Sequence, residues 1–180
     1  MLFFVYPTIL LFSLKGVSET FKRIKKLSNP YLKKTGQIVL ILLILTGLGS
    51  TATFIVGNHP FQNVYFNSLA GKDMREIKRN YELDYWGNSY KQALEYIVEK
   101  DSSDKILVYA ATVPGENNAL ILPPKHQERL QFVKTKKQLP QADYFIGTYR
   151  WYKDGYPITA PEVFSRTVGN AKIVVVYKLK

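Results

Sequence analysis

Two short stretches gather the side chains best suited to recognising a polar substrate. They are His59-Pro60-Phe61-Gln62-Asn63-Val64-Tyr65-Phe66-Asn67 and Tyr81-Glu82-Leu83-Asp84-Tyr85-Trp86-Gly87-Asn88-Ser89-Tyr90. Tyr65, Tyr85, Trp86 and Tyr90 each offer a flat apolar face with a polar tip, the combination that stacks on a sugar ring while bonding its hydroxyls. Asn67 adds an amide and Asp84 a carboxyl group, so Tyr65, Asn67, Asp84, Tyr85 and Trp86 form the candidate substrate-binding set. The same residues have a structural reading: the rings pack the start of the domain, and Asp84 and Asn67 bond backbone at turns. Glu82 and Asp84 have a spacing that acid/base work can use, but they sit in a loop leading into a helix, and no residue is assigned a catalytic role. Metal chemistry has little to stand on, because His59 and His126 lack a second ligand at metal spacing and the chain has no Cys. Gly115 follows Pro114 as an ordinary turn, not as part of a phosphate-binding loop.

The elements that hold these stretches are legible from hydrophobic period. Phe61, Val64, Tyr65 and Leu69 recur on one face and predict a short helix from Asn58 to Gly71, with Pro60 in its first turn. A second helix is expected where Ser89 and Gln92 have capping-box spacing and Tyr90, Leu94, Ile97 and Val98 form a stripe that stops at Asp101. The period then changes to that of strands. Lys105 to Ala111 and Ala142 to Thr148 are short apolar runs of the buried type, with a minor strand at Gln131 to Val133. Val163 to Val168 and Ala171 to Leu179 flank Gly169-Asn170 as a hairpin. The predicted fold is a small α/β domain with a mixed sheet and a terminal β-hairpin, spanning 58–180.

Ahead of that domain the sequence is of another kind. Gly36 to Val56 carries no charge over 21 residues, enough to cross the roughly 30 Å hydrocarbon layer, so 36–57 is expected to be a transmembrane helix in contact with the lipid bilayer. Gly47, Gly49 and Ser50 make a small-residue patch within it. Residues 1–14 are also apolar but reach only about 21 Å, and are expected to be the end of a longer span whose start lies upstream. Between them, 15–35 is a basic loop in which seven Lys and Arg face one acid, Glu19. More than half of the formal charge of +11 therefore falls beside a membrane span, where retention on the cytoplasmic side accounts for it. Nucleic acid is excluded as the expected partner. The orientation that follows puts the chain in the cytoplasmic membrane with its C-terminal domain extracytoplasmic.

The two stretches resemble the "HPYQxVYFN" and "xELDYWGxSYxxA" signatures near the C-terminal end of bacterial membrane glycosyltransferases of the GT-C fold, similar to protein O-mannosyltransferases and the lipid A aminoarabinose transferase, with Phe61 in place of the commoner Tyr. The order of a Tyr-Pro-containing span, a basic loop, a final span, both motifs and a short α/β domain is also that of such a family's tail. The resemblance implies a polyprenyl-phosphate-linked sugar as donor for the intact enzyme, and a glycan or lipid-linked sugar as partner. It also implies a catalytic carboxylate on an N-terminal transmembrane module that this chain lacks, so the chain by itself is expected not to transfer sugar. A second reading, from another class, is a membrane-anchored extracytoplasmic binding or assembly module.

Overall fold

The computed structural model describes residues 5–180, so the first four positions of the apolar segment 1–14 lie outside the described residues. The chain divides into two compact units, 1–56 and 57–180.

In the first unit, α1 (Val5–Lys25) and α2 (Pro30–Gly57) are joined by a tight turn. The basic stretch is thus helical through Lys25, and the turn itself is only a few residues long. Asn29 starts α2 as its cap, Oδ1 accepting from the backbone N–H groups of Tyr31 (2.9 Å) and Leu32 (3.3 Å), with Pro30 in the first turn where its missing N–H costs nothing. Gly36 lets the helices approach: a Cβ there would stand 3.1 Å from Ile24 Cγ2. α2 is long and apolar enough to cross a membrane, and its spanning window has no buried residue. Its hydroxyls are satisfied within the helix, Thr46 donating to the Leu42 carbonyl (2.8 Å) and Thr53 to that of Gly49 (2.8 Å), so the exposed surface presents little unmet polarity. Its length and composition fit a membrane anchor or a signal sequence near the N-terminus.

The second unit is a mixed α/β fold. After a 3-10 turn (Gln62–Val64) come α3 (Met74–Asn80), α4 (Ser89–Lys100), β1 (Ile106–Ala110), α5 (Val113–Ala119), α6 (Pro124–Gln127), β2 (Leu130–Phe132), a 3-10 segment (Lys136–Gln141), β3 (Tyr144–Gly147), β4 (Glu162–Val168) and β5 (Ala171–Lys178). The five strands lie in the order β2-β1-β3-β5-β4, with β1 parallel to β2 and β3, and β5 antiparallel to β3 and β4. The hairpin turns at Gly169, whose φ of +56° suits a residue without Cβ, and Val168 pairs with Ala171 across it.

Side chains alternate between the two sheet faces, and the central strands β3 and β5 are buried on both. One sheet face, with Ile106, Val108, Tyr144, Ile146, Val174 and Val176, packs on the α4 stripe of Tyr90, Ala93, Leu94, Ile97 and Val98. The opposite face carries aromatic rings. Tyr109 stacks on Phe145 (5.7 Å between centroids), and Phe145 meets Tyr156 edge-on (4.6 Å). Tyr156 belongs to the loop 148–161, which covers this face in place of a helix.

Two sequence expectations are corrected. The helix expected from Asn58 to Gly71 is absent beyond the 3-10 turn, and Leu69, assigned to its apolar face, is 92% exposed. Only Phe61 and Val64 of that pattern are buried, and the helix of this region forms later, at α3, where Asp73 accepts from the N–H groups of Arg75 and Glu76. The capping box of Ser89 and Gln92 does not form either: Ser89 is already inside the helix with its hydroxyl donating to Asp84, and Gln92 Oε1 accepts from Arg166 Nε (2.8 Å).

Candidate functional site

The start of α4 is organised by Asp84, which is 5% exposed. Its Oδ2 accepts from the Ser89 backbone N–H (2.8 Å) and hydroxyl (2.5 Å), and Oδ1 from the Asn88 N–H (3.0 Å) and Asn63 Nδ2 (3.2 Å). Four donors occupy the group, so Asp84 works as a cap from inside the domain. Through Asn63 it also ties the first motif to the second. The chain then reverses at Gly87, φ +69°, where an added Cβ would lie 2.7 Å from Pro114 and 2.8 Å from Tyr90.

That turn pushes Tyr85 and Trp86 outward, 50% and 60% exposed, with their rings edge to face at 5.2 Å. Tyr90, in contrast, is fully buried and its hydroxyl bonds Thr112 Oγ1 (2.9 Å), so it belongs to the core. Tyr65 is half-buried just after the 3-10 turn, its N–H donating to the Gln62 carbonyl. Asn67 closes an exposed turn, its Oδ1 accepting from the Leu69 N–H (3.0 Å). Of the five candidate residues, Tyr85 and Trp86 form a surface pair, Asp84 fixes that pair from below, and Asn67 serves its own backbone.

A second segment, absent from the sequence reading, joins them. Tyr149-Arg150-Trp151-Tyr152 follows β3 after a single residue, Thr148. Tyr149 has φ 63°, a left-handed conformation costly for a bulky residue, and the chain there is held by its N–H donating to Tyr156 Oη (3.0 Å) and by Lys78 Nζ, 3.3 Å from its ring centroid. Arg150 reaches back: its guanidinium lies 4.6 Å from the Tyr85 ring centroid and 5.1 Å from that of Trp151, and its Nε donates to Glu82 Oε1 (3.3 Å). Trp151 is 70% exposed. The signal that could have found this segment was its composition, two tyrosines, an arginine and the chain's second tryptophan immediately after a core strand.

The position is the one a sheet of this topology offers to a ligand. The chain leaves β1 toward β2 on one side, and leaves β3 toward the hairpin on the other, so a crevice opens beyond their carboxyl ends. Two concavities flank it, of about 620 Å³ and 430 Å³, sharing Tyr109, Ala111 and Trp151. Both are of the size that takes small ligands. No cluster of His, Asp and Glu able to hold a metal exists among the described residues.

Comparison with protein-family models, with curated proteins and with solved structures finds no match to this chain.

Proposed function

We propose that this chain is the C-terminal, membrane-anchored part of a glycosyltransferase that uses a polyprenyl-phosphate-linked sugar, and that its outer domain contributes a sugar-binding edge, not the catalytic group. The observation that carries this reading is the exposed Tyr85–Trp86 pair on a turn fixed by buried Asp84, with the Arg150 guanidinium stacked on Tyr85. Rings so placed offer stacking faces to a pyranose, and a guanidinium beside them suits a phosphate. The motif order and the helix long enough to cross a membrane add support. In this reading α2 lies in the cytoplasmic membrane, 58–180 faces away from the cytoplasm, and the catalytic carboxylate comes from an N-terminal transmembrane module.

Fluorescence tests it, since Trp86 and Trp151 are the two tryptophans of the chain. In the full chain carrying W151F, held in lipid nanodiscs, Trp86 emission is expected to change saturably with a polyprenyl-phosphate hexose and not with the sugar-free polyprenyl phosphate. R150Q is expected to weaken that response about tenfold, the loss of one charge-assisted contact. Equal responses to both lipids, or none, would overturn the reading. The alternative of a free-standing binding module is favoured by one feature, that unit 57–180 has a core of its own. A stable full-length product in membranes without further spans, together with sugar binding, would select it.

A further inference from the structure

The larger concavity lies beside the aromatic face of the sheet, and its lining is unusual in composition. Its lining includes the rings of Tyr109, Phe145, Tyr152 and Tyr156, the apolar Leu139, Pro157 and Ile158, and Trp151, which is largely exposed. Among the described residues that line it, the one charged side chain is Lys136. The ammonium of Lys136 donates to Tyr152 Oη (3.2 Å) and sits 5.6 Å from that ring's centroid, and it meets no carboxylate among the described residues. Its neighbour Lys134, by contrast, is paired with Glu116 across the adjoining concavity. The position of Lys136 is set by its element: Thr135 and Gln138 form a capping box that starts the 3-10 segment at this residue.

A cleft with aromatic faces, phenol hydroxyls and a single cation at its rim selects a ligand with a flat apolar face, several hydroxyls and one anionic group. We infer that this cleft binds an acidic sugar unit, a pyranose bearing a carboxylate or a phosphate, with the ring stacked against Trp151 and Tyr152 and the anion on Lys136. The phenol of Tyr152, already bonded to Lys136, holds the ammonium in the cleft and couples the stacking wall to the charge. Tyr156 is packed so closely over Gly147 that any side chain there would collide with its ring. The inference does not depend on the transferase reading, because Lys136 and Tyr152 carry it and not Tyr85, Trp86 or Arg150, although Trp151 stands 5.1 Å from the Arg150 guanidinium.

The test uses the full chain in nanodiscs with W86F, so that Trp151 alone emits. A trimer of galacturonic acid and a hexose 6-phosphate are titrated separately, with a neutral galactose trimer as reference. Saturable change in Trp151 emission with either acidic probe, at least about tenfold tighter than with the neutral trimer, supports the inference, and which probe binds tells carboxylate from phosphate. K136Q is expected to remove that preference, bringing the acidic probe to within about twofold of the neutral one, while K137Q leaves it unchanged. Equal binding of acidic and neutral probes, no binding of either, or a K136Q protein that keeps the preference would each overturn it. Failure here leaves the Trp86 response to lipid-linked sugar untouched, so the two proposals fall separately.

Discussion

Asp84 shows how one side chain decides what its neighbours can do. In sequence it is the most inviting candidate of the second motif, a carboxyl between aromatics, yet the donors that converge on it are the start of α4, the Ser89 hydroxyl and Asn63. An acid with both oxygens occupied inside the domain cannot reach a substrate, but it fixes the residues on either side. Tyr85 and Trp86 emerge one and two positions later, and Gly87 turns the chain where a Cβ would strike Pro114. Removing the side chain should therefore act on both stability and the site. D84A strips a helix start of its cap and leaves the buried Ser89 hydroxyl and N–H without an acceptor, a loss of about 2–4 kcal/mol. Thermal unfolding of the full chain in nanodiscs should show the drop, and the Trp86 emission of a W151F/D84A protein should shift toward that of a solvated indole even below the transition. An unchanged melting temperature would mean that the turn is held by something other than Asp84.

At the scale of elements, the strands and α4 are legible in sequence because their burial makes them periodic. The apolar runs at 105–111 and 142–148, the weak strand near 131 and the hairpin about Gly169-Asn170 all correspond to observed strands. What was not legible was anything decided by contacts between distant segments. The apolar spacing of Phe61, Val64 and Leu69 reads as a helix, but Phe61 and Val64 are drawn into the domain while Leu69 is left in solvent, so tertiary packing overrides the local pattern. Arg150 and Trp151 are not legible because their meaning depends on β3 lying parallel beside β1, which no local window contains. The loop 148–161 is the clearest case, covering a sheet face with tyrosines where a helix would have announced itself by period. Burial of tyrosines, on the α4 face as well as under this loop, has a consequence in alkali. Burial, then the Asp101 carboxyl its hydroxyl donates to, pushes Tyr144 up to about 12, and burial likewise raises Tyr149 and Tyr156. Unfolded tyrosines ionise near pH 10, so above that the unfolded chain binds fewer protons than the folded one and stability falls as pH rises toward about 12. Lys78 works in the opposite sense at lower pH, since burial brings it down to about 8 and the folded chain sheds its proton first, adding stability between about 8 and 10.5. Melting temperature should thus climb from pH 8, then decline above pH 10, with a shallower decline in Y144F. A curve flat above pH 10 would contradict the tyrosine account.

For the whole molecule, the question is which side of a membrane the two units' functions fall on, and charge supplies the argument. Glu19 is engaged by Lys15 (3.2 Å) and Lys22 (2.9 Å), which leaves Arg23, Lys25, Lys26, Lys33 and Lys34 as five cations around the turn from α1 into α2. Cationic segments beside a span stay on the cytoplasmic side, and the remaining excess of positive charge is spread thinly over the 123 residues of 58–180. Under the proposed function, the Tyr85–Trp86 edge would then face the compartment in which the proposed polyprenyl-linked donor presents its sugar. Protease added to spheroplasts expressing the full chain should remove 58–180 and leave a membrane-held fragment near 6 kDa, about the mass of the first unit, before any permeabilisation. Replacing the five cations by glutamine should protect the domain in a substantial part of the population, because nothing else in the first unit distinguishes its two ends as strongly. Protection of the domain in the parent chain would invert the orientation. It would remove the donor-side argument for Tyr85, Trp86 and Arg150 and leave the acidic-sugar cleft to be judged on its own binding data.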